Sequence, residues 1–143
     1  MTADKPLNKT QFEHLIPHVG SMILIDTVDF WADKQIICRS RTHLDPSNPL
    51  RLNNRLSSMH LIEYGAQAMA IHGGLLSGKS SPGFLAAARN VHFYIDDLSE
   101  ITGDILISAH AELKLQNGAV YALAISDTQQ RPLLNASATV ITL

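Results

Sequence analysis

One segment limits what this chain can become. From Ser57 onward, Leu61, Ile62, Gly65, Ala66, Met69, Ala70 and Gly73 recur at the spacing of an α-helix. Ser57 or Ser58 supplies a side chain suited to the N-cap. The small residues on the apolar face let such a helix lie close against a sheet. Gly73 and Gly74 are expected to loosen its end, and Ser77 to Gly83 to form a flexible turn.

The segments around this helix read as strands. Met22 to Val28 is apolar and β-branched, and Ile36 to Thr42 alternates, with Trp31 to Lys34 as the turn between them. After the helix come Phe84 to Ile95, Ile105 to Leu115, Ala119 to Ser126 and Leu133 to Leu143. Asn117-Gly118 is a hairpin signal, because both residues tolerate positive φ. Ahead of the first strand, Thr10 and Glu13 fit a capping box for a short helix from Gln11 to about Ile16, stopped by Pro17. Leu44 to Asn54, with its prolines and asparagines, is a loop. The class is therefore α+β: an antiparallel sheet of five to six strands with one long central helix. One helix cannot cover both faces of such a sheet, so a partner is expected on the other face or an edge.

The 143 residues suit one domain, assigned to 10–143 behind a polar tail of residues 1–9. Charged residues make up 17%, against about 25% in ordinary soluble domains. Another subunit or an apolar ligand would explain the deficit. With a formal charge of -2 and no basic cluster, nucleic acid is not an expected partner. Cys38 is alone, which excludes an internal disulfide and a cysteine-built zinc site. No apolar stretch approaches the roughly 18 residues of a membrane span. No signal-peptide core is present, so a cytoplasmic protein is expected.

Particular residues carry a resemblance. Leu15-Ile16-Pro17-His18 running into Met22–Val28, Ile62-Glu63-Tyr64-Gly65-Ala66-Gln67, Phe84-Leu85-Ala86 with Arg89 and Phe93, and Thr102-Gly103-Asp104-Ile105-Leu106 appear in order over nearly the whole chain. Together they resemble the hot-dog-fold 3-hydroxyacyl-carrier-protein dehydratases of the FabZ/FabA type. Pro17-His18-Val19-Gly20-Ser21-Met22, Asn48-Pro49-Leu50-Arg51 and Ile62 through Leu76 are similar to a divergent branch associated with aryl-polyene-type clusters.

The resemblance implies a sheet wrapped around the helix and removal of water from a carrier-bound acyl thioester in fatty-acid or polyene-type synthesis. It also implies a site shared between subunits. In that family a His and the helix Glu move the protons, and a backbone N–H at the helix start polarises the thioester. Glu63 matches the Glu, in a helix poor in charge, where burial would raise a carboxyl pKa toward the working pH. Ser58 matches the helix-start donor. Gln67, one turn beyond Glu63, is either a holder of that carboxylate or a satisfied core amide.

The family His lies fourteen residues before the Glu, which here is Pro49. His18, His60 and His43 are the substitutes, ranked in that order, each against the plainer reading of a surface or structural His. His60, Glu63 and Gln67 share a helical face. His72 reads as helix-end structure. No metal or other cofactor is expected. The reading is a dehydratase with catalytic Glu63 and His18, and with Gln67, Ser58 and His60 contacting substrate. Its partners are an acyl carrier protein or acyl thioester and a homodimeric, higher or paralogue-containing assembly. A hot-dog thioesterase, or a non-catalytic acyl-binding or partner subunit, remains open.

Overall fold

Seven strands form one antiparallel sheet in the computed structural model, which describes residues 6–17, 20–79 and 83–142. They are β1 (Leu7–Asn8), β2 (Thr27–Ala32), β3 (Gln35–Ser40), β4 (Gly83–Phe93), β5 (Ile105–Leu115), β6 (Gly118–Asp127) and β7 (Pro132–Thr142), in the order β1-β2-β3-β5-β6-β7-β4. The helices are α1 (Lys9–Phe12) and α2 (Leu61–Ser77). The expected five or six strands become seven because Leu7 and Asn8, assigned to the tail, pair with Val28 and Thr27. Two residues offer no period to read.

The start of the chain differs in a way side chains explain. Asn8 and Gln11, not Thr10 and Glu13, make the capping box of α1, and Glu13–Leu15 continues as a 3-10 turn. Ile23, Leu24 and Ile25 are buried but precede β2. The Leu24 backbone is satisfied by side chains rather than by a ladder, its C=O accepting from Ser40 Oγ and Thr42 Oγ1, while Ile23 N–H donates to Gly20 O in a local turn. Burial alone drew these residues into the expected strand.

The helix meets the sheet on one face, over β3, β5 and β6. Leu61, Tyr64, Ala68 and Ile71 from α2 pack into a core with Ile36, Cys38, Ile107 and Leu123. Fully burying a large apolar side chain contributes about 1.5–3 kcal/mol. Close approach needs missing side chains at two places: a Cβ on Gly65 would lie 2.4 Å from Leu123 Cδ2, and one on Gly74 2.8 Å from Leu15 Cδ2. A Cβ on Gly73 would meet nothing within 4 Å. A glycine inside a helix costs about 1 kcal/mol relative to alanine, yet the helix runs unbroken through Gly73 and Gly74. It ends at Gly78, whose φ of 77° makes a left-handed C-cap.

Two turns also depart from expectation. The β2–β3 turn is only Asp33 and Lys34. The β5–β6 hairpin pairs Leu115 with Gly118 around Gln116 and Asn117, and neither Asn117 nor Gly118 has positive φ. Gly118 is small for a different reason: a Cβ there would sit 2.0 Å from Val140 O. Positive φ falls instead on Asn53 and Asn54, in a tight turn where Leu52 and Arg55 exchange backbone hydrogen bonds. At the end of the sheet, β4 pairs with β7 and has no second strand among the described residues. Phe84 and Phe93 on it are exposed. No described helix is long and apolar enough to cross a membrane.

Candidate active site

A groove of about 1040 Å³ runs beside α2, between the helix and the ends of β4, β5, β6 and β7. Ile62, Ala66, Met69, Ala70 and Gly73 form its helical wall. The opposite wall includes Phe84, Leu85, Leu113, Ala119 and Val140, with Asp33, Lys34, Glu112 and Lys114 also on the lining. Glu63 lies on this lining and is exposed. The expected burial of its carboxyl is therefore not supplied by this chain, whose groove is open on one side.

The remaining expected residues separate. His18 lies outside the described residues. His60 ends the 3-10 turn Ser58–His60 ahead of α2, and no hydrogen bond or ion pair among the described residues joins it to Glu63. Gln67 is not a partner of Glu63. Its Oε1 accepts from Leu24 N at 2.7 Å and its Nε2 donates to Met22 O at 2.6 Å. It is a core amide that replaces the missing strand ladder. A buried amide must satisfy both its donor and its acceptor, and these two backbone groups do so.

Ser58 is also committed. Its backbone N–H donates to Asp96 O at 2.9 Å, and Leu98 N–H donates to Leu56 O at 2.8 Å. This small bridge pins the helix start to the segment after β4. Asp97 strengthens it by accepting from Leu56 N, Ser99 and Arg55. The Ser99 hydrogen bonds, hydroxyl first, hold the Asp97 carboxyl down to about 2. Ser57 Oγ accepts from Met59 N. The donor expected for a thioester oxygen is thus already paired in this chain.

Pro49 sits in a loop fixed by its neighbours. Asn48 Nδ2 donates to Thr42 O at 2.9 Å and to Tyr64 Oη at 3.2 Å, while Arg51 Nη2 donates to His43 O at 2.5 Å. Asn48, Tyr64 and Asp97 were not picked out as positioning residues. The Asn-Pro-Leu-Arg segment was the one visible signal. His43 is buried, with Nε2 3.0 Å from Ile101 O and Nδ1 without a partner. His72 is buried with Nε2 2.7 Å from Ala32 O and Nδ1 2.7 Å from Tyr121 Oη. That pattern makes Nε2 a donor to the carbonyl and Nδ1 the acceptor from the phenol. Burial lowers both imidazole pKa values and raises Tyr121 to about 12. His72 is a structural tie between helix, hairpin and sheet rather than a helix-end charge. Among the described residues no cluster of His, Cys, Asp and Glu could hold a metal.

One helix on an antiparallel sheet, with a carboxylate facing a long groove, defines a hot-dog protein. Residues 10–143 match the ApeP-like family, described as ApeP dehydratase, and the chain belongs to that family. The expected link to dehydratases of aryl-polyene type is therefore shown. Among solved structures it is similar to the dehydratase heterocomplex ApeI:P from Xenorhabdus doucetiae, at 18% identity and TM-score 0.80, covering 92% of this chain and 90% of that one. It also resembles the E. coli PaaI protein from the phenylacetic acid degradation operon, at 12% identity and TM-score 0.60, covering 83% and 79%. A mutant of the thioesterase enzyme SAV0944 from Staphylococcus aureus shares 14% identity with TM-score 0.57, covering 94% and 96%. These likenesses establish the fold. No curated protein matches the chain significantly.

Proposed function

We propose that this chain is the carboxylate-bearing subunit of a 3-hydroxyacyl-carrier-protein dehydratase whose imidazole comes from a paralogous hot-dog chain. The observation that carries the reading is the split state of the site: Glu63 faces the groove, while Pro49 stands where the family's His would be. His43 and His72 are committed to structural hydrogen bonds. A second copy of this chain would bring a second Pro49, so a paralogue completes the dyad better than a homodimer does. The heterocomplex among the similar structures supports that assembly.

In this site the partner's imidazole removes the Cα proton of the thioester. The electron pair becomes the C2–C3 double bond, the C3–O bond breaks, and Glu63 protonates the leaving hydroxyl as water. Glu63 must hold a proton to do this. A partner covering the groove would exclude water from it, and a dry site disfavours an unpaired charge. The site needs no cofactor, and the assembly acts in the cytoplasm on carrier-bound acyl chains.

A second reading is a stabilising subunit without proton chemistry, favoured by the Ser58 N–H already donated to Asp96 O. The experiment uses the chain alone and the chain co-purified with a His-bearing hot-dog paralogue from the same genome. Each is incubated with a 3-hydroxyacyl-carrier protein and followed by mass spectrometry. Water loss only by the complex supports the proposal. Release of free acid points to a thioesterase, and water loss by the chain alone refutes the shared dyad.

A further inference from the structure

Three glycines lie inside α2, and packing accounts for two. Gly65 makes room for Leu123 and Gly74 for Leu15. Gly73 contacts nothing that a Cβ would displace, and its φ is ordinary helical backbone. A helix-interior glycine destabilises relative to alanine, so this chain bears a cost at Gly73 that its own packing does not offset. The empty space lies on the groove wall, on the same side of the helix as Ile62 and Ala66.

Ten residues separate Glu63 from Gly73, about 15 Å along a helix rising 1.5 Å per residue. Between them the helical wall presents Ala66, Met69 and Ala70, and the facing strands present Leu85, Ala119 and Val140. The helical side of the slot is thus long and apolar, with Glu63 at its start. Its other charged lining residues, Asp33, Lys34, Glu112 and Lys114, belong to the β2–β3 turn and to β5, not to the helical wall. A groove of this volume is the size of a small-molecule site, which spans roughly 300–1,000 Å³.

We propose that the acyl chain of the substrate lies along this slot with its reactive end at Glu63 and its tail over Gly73, so that Gly73 sets the longest chain accepted. At about 1.25 Å per extended carbon, from bonds of about 1.5 Å, the path holds on the order of twelve carbons. The inference rests on the acyl-dehydratase reading and adds the residue that measures chain length.

Binding tests it apart from turnover. Acyl-pantetheine amides of four, eight and twelve carbons are titrated by calorimetry into the wild-type complex and into its Gly73→Leu variant. Wild-type affinity rises with length. Gly73→Leu keeps four-carbon affinity and loses about tenfold or more for twelve carbons, the scale set by a few misplaced methylenes in an apolar site. The variant's melting temperature, unchanged or raised, shows that it is folded. Equal length profiles in the two proteins overturn the proposal. So does a Gly73→Leu chain that no longer assembles, because the space then receives the partner rather than the substrate. Length-dependent binding without dehydration leaves the slot standing and removes the reaction proposed for it.

Discussion

Replacing Gln67 by leucine separates a structural amide from one that serves the carboxylate. In the native chain the amide satisfies Leu24 N at 2.7 Å and Met22 O at 2.6 Å. Leu24 is fully buried. Leucine removes two hydrogen bonds worth about 1 kcal/mol each and leaves a buried N–H unpaired at a further 1–3 kcal/mol. The better transfer energy of leucine recovers part of this, so the net loss is about 3 kcal/mol. At about 4 °C per kcal/mol for a chain of this size, the melting temperature falls by about 12 °C. Gln67→Glu refines the test. An ionised carboxylate accepts from Leu24 N but cannot donate to Met22 O, whereas the protonated acid does both. The folded state therefore raises the new carboxyl's pKa. Its stability relative to wild type is best below about 4.3, the unfolded value, and is lost as pH rises through the folded value. Thermal melts of the three proteins from pH 4 to 8 give both numbers. If Gln67→Leu melts within 2 °C of wild type while dehydration by the complex collapses, the amide serves Glu63 and the packing argument is wrong.

Other perturbations have equally definite outcomes. Gly65→Ala drives a methyl into Leu123 and should cost about 1–3 kcal/mol before a helix gain of about 1 kcal/mol, whereas Gly73→Ala should gain up to about 1 kcal/mol; calorimetric melts that rank them the other way contradict the glycine assignments. Tyr121→Phe strips the donor from His72 Nδ1 and should destabilise by about 1–2 kcal/mol, and a neutral result would show that the phenol is not holding the helix. His43 and His72 have folded pKa values lowered by burial, so the unfolded chain takes up protons first as pH falls below about 6.5. Stability due to these two groups is present above that pH and declines below it. His43→Gln with His72→Gln should flatten the slope of melting temperature between pH 7 and 5, and an unchanged slope refutes the assignment.

The long helix, the last three strands and the antiparallel class were legible because each repeats a period over ten or more residues. Ile105–Leu115 coincides with β5 to the residue. The opening strand was misplaced because Ile23, Leu24 and Ile25 have a strand's composition, while the groups that pair with the Leu24 backbone sit at Ser40, Thr42 and Gln67. Such pairing has no local signature. At the candidate site Glu63 could be singled out by its lonely charge and by resemblance. The fates of Ser58 and Gln67 could not, since Asp96, Met22 and Leu24 are tens of residues away in sequence. Gly73 and Gly74 looked like a loosening of the helix; the helix runs unbroken through both, and the space beside Gly73 opens on the groove.

The central claim is that Glu63 works in a site completed by another chain, and Glu63→Gln in the complex with a wild-type partner tests it most directly. Glutamine keeps the shape and the neutrality of the proposed acid and removes only its transferable proton, so assembly and melting temperature should not change. Single-turnover dehydration of a 3-hydroxyacyl-carrier protein should slow by about 10²- to 10⁴-fold. A complex that assembles normally and dehydrates at the wild-type rate would contradict the claim and leave this chain as a scaffold for its partner's chemistry.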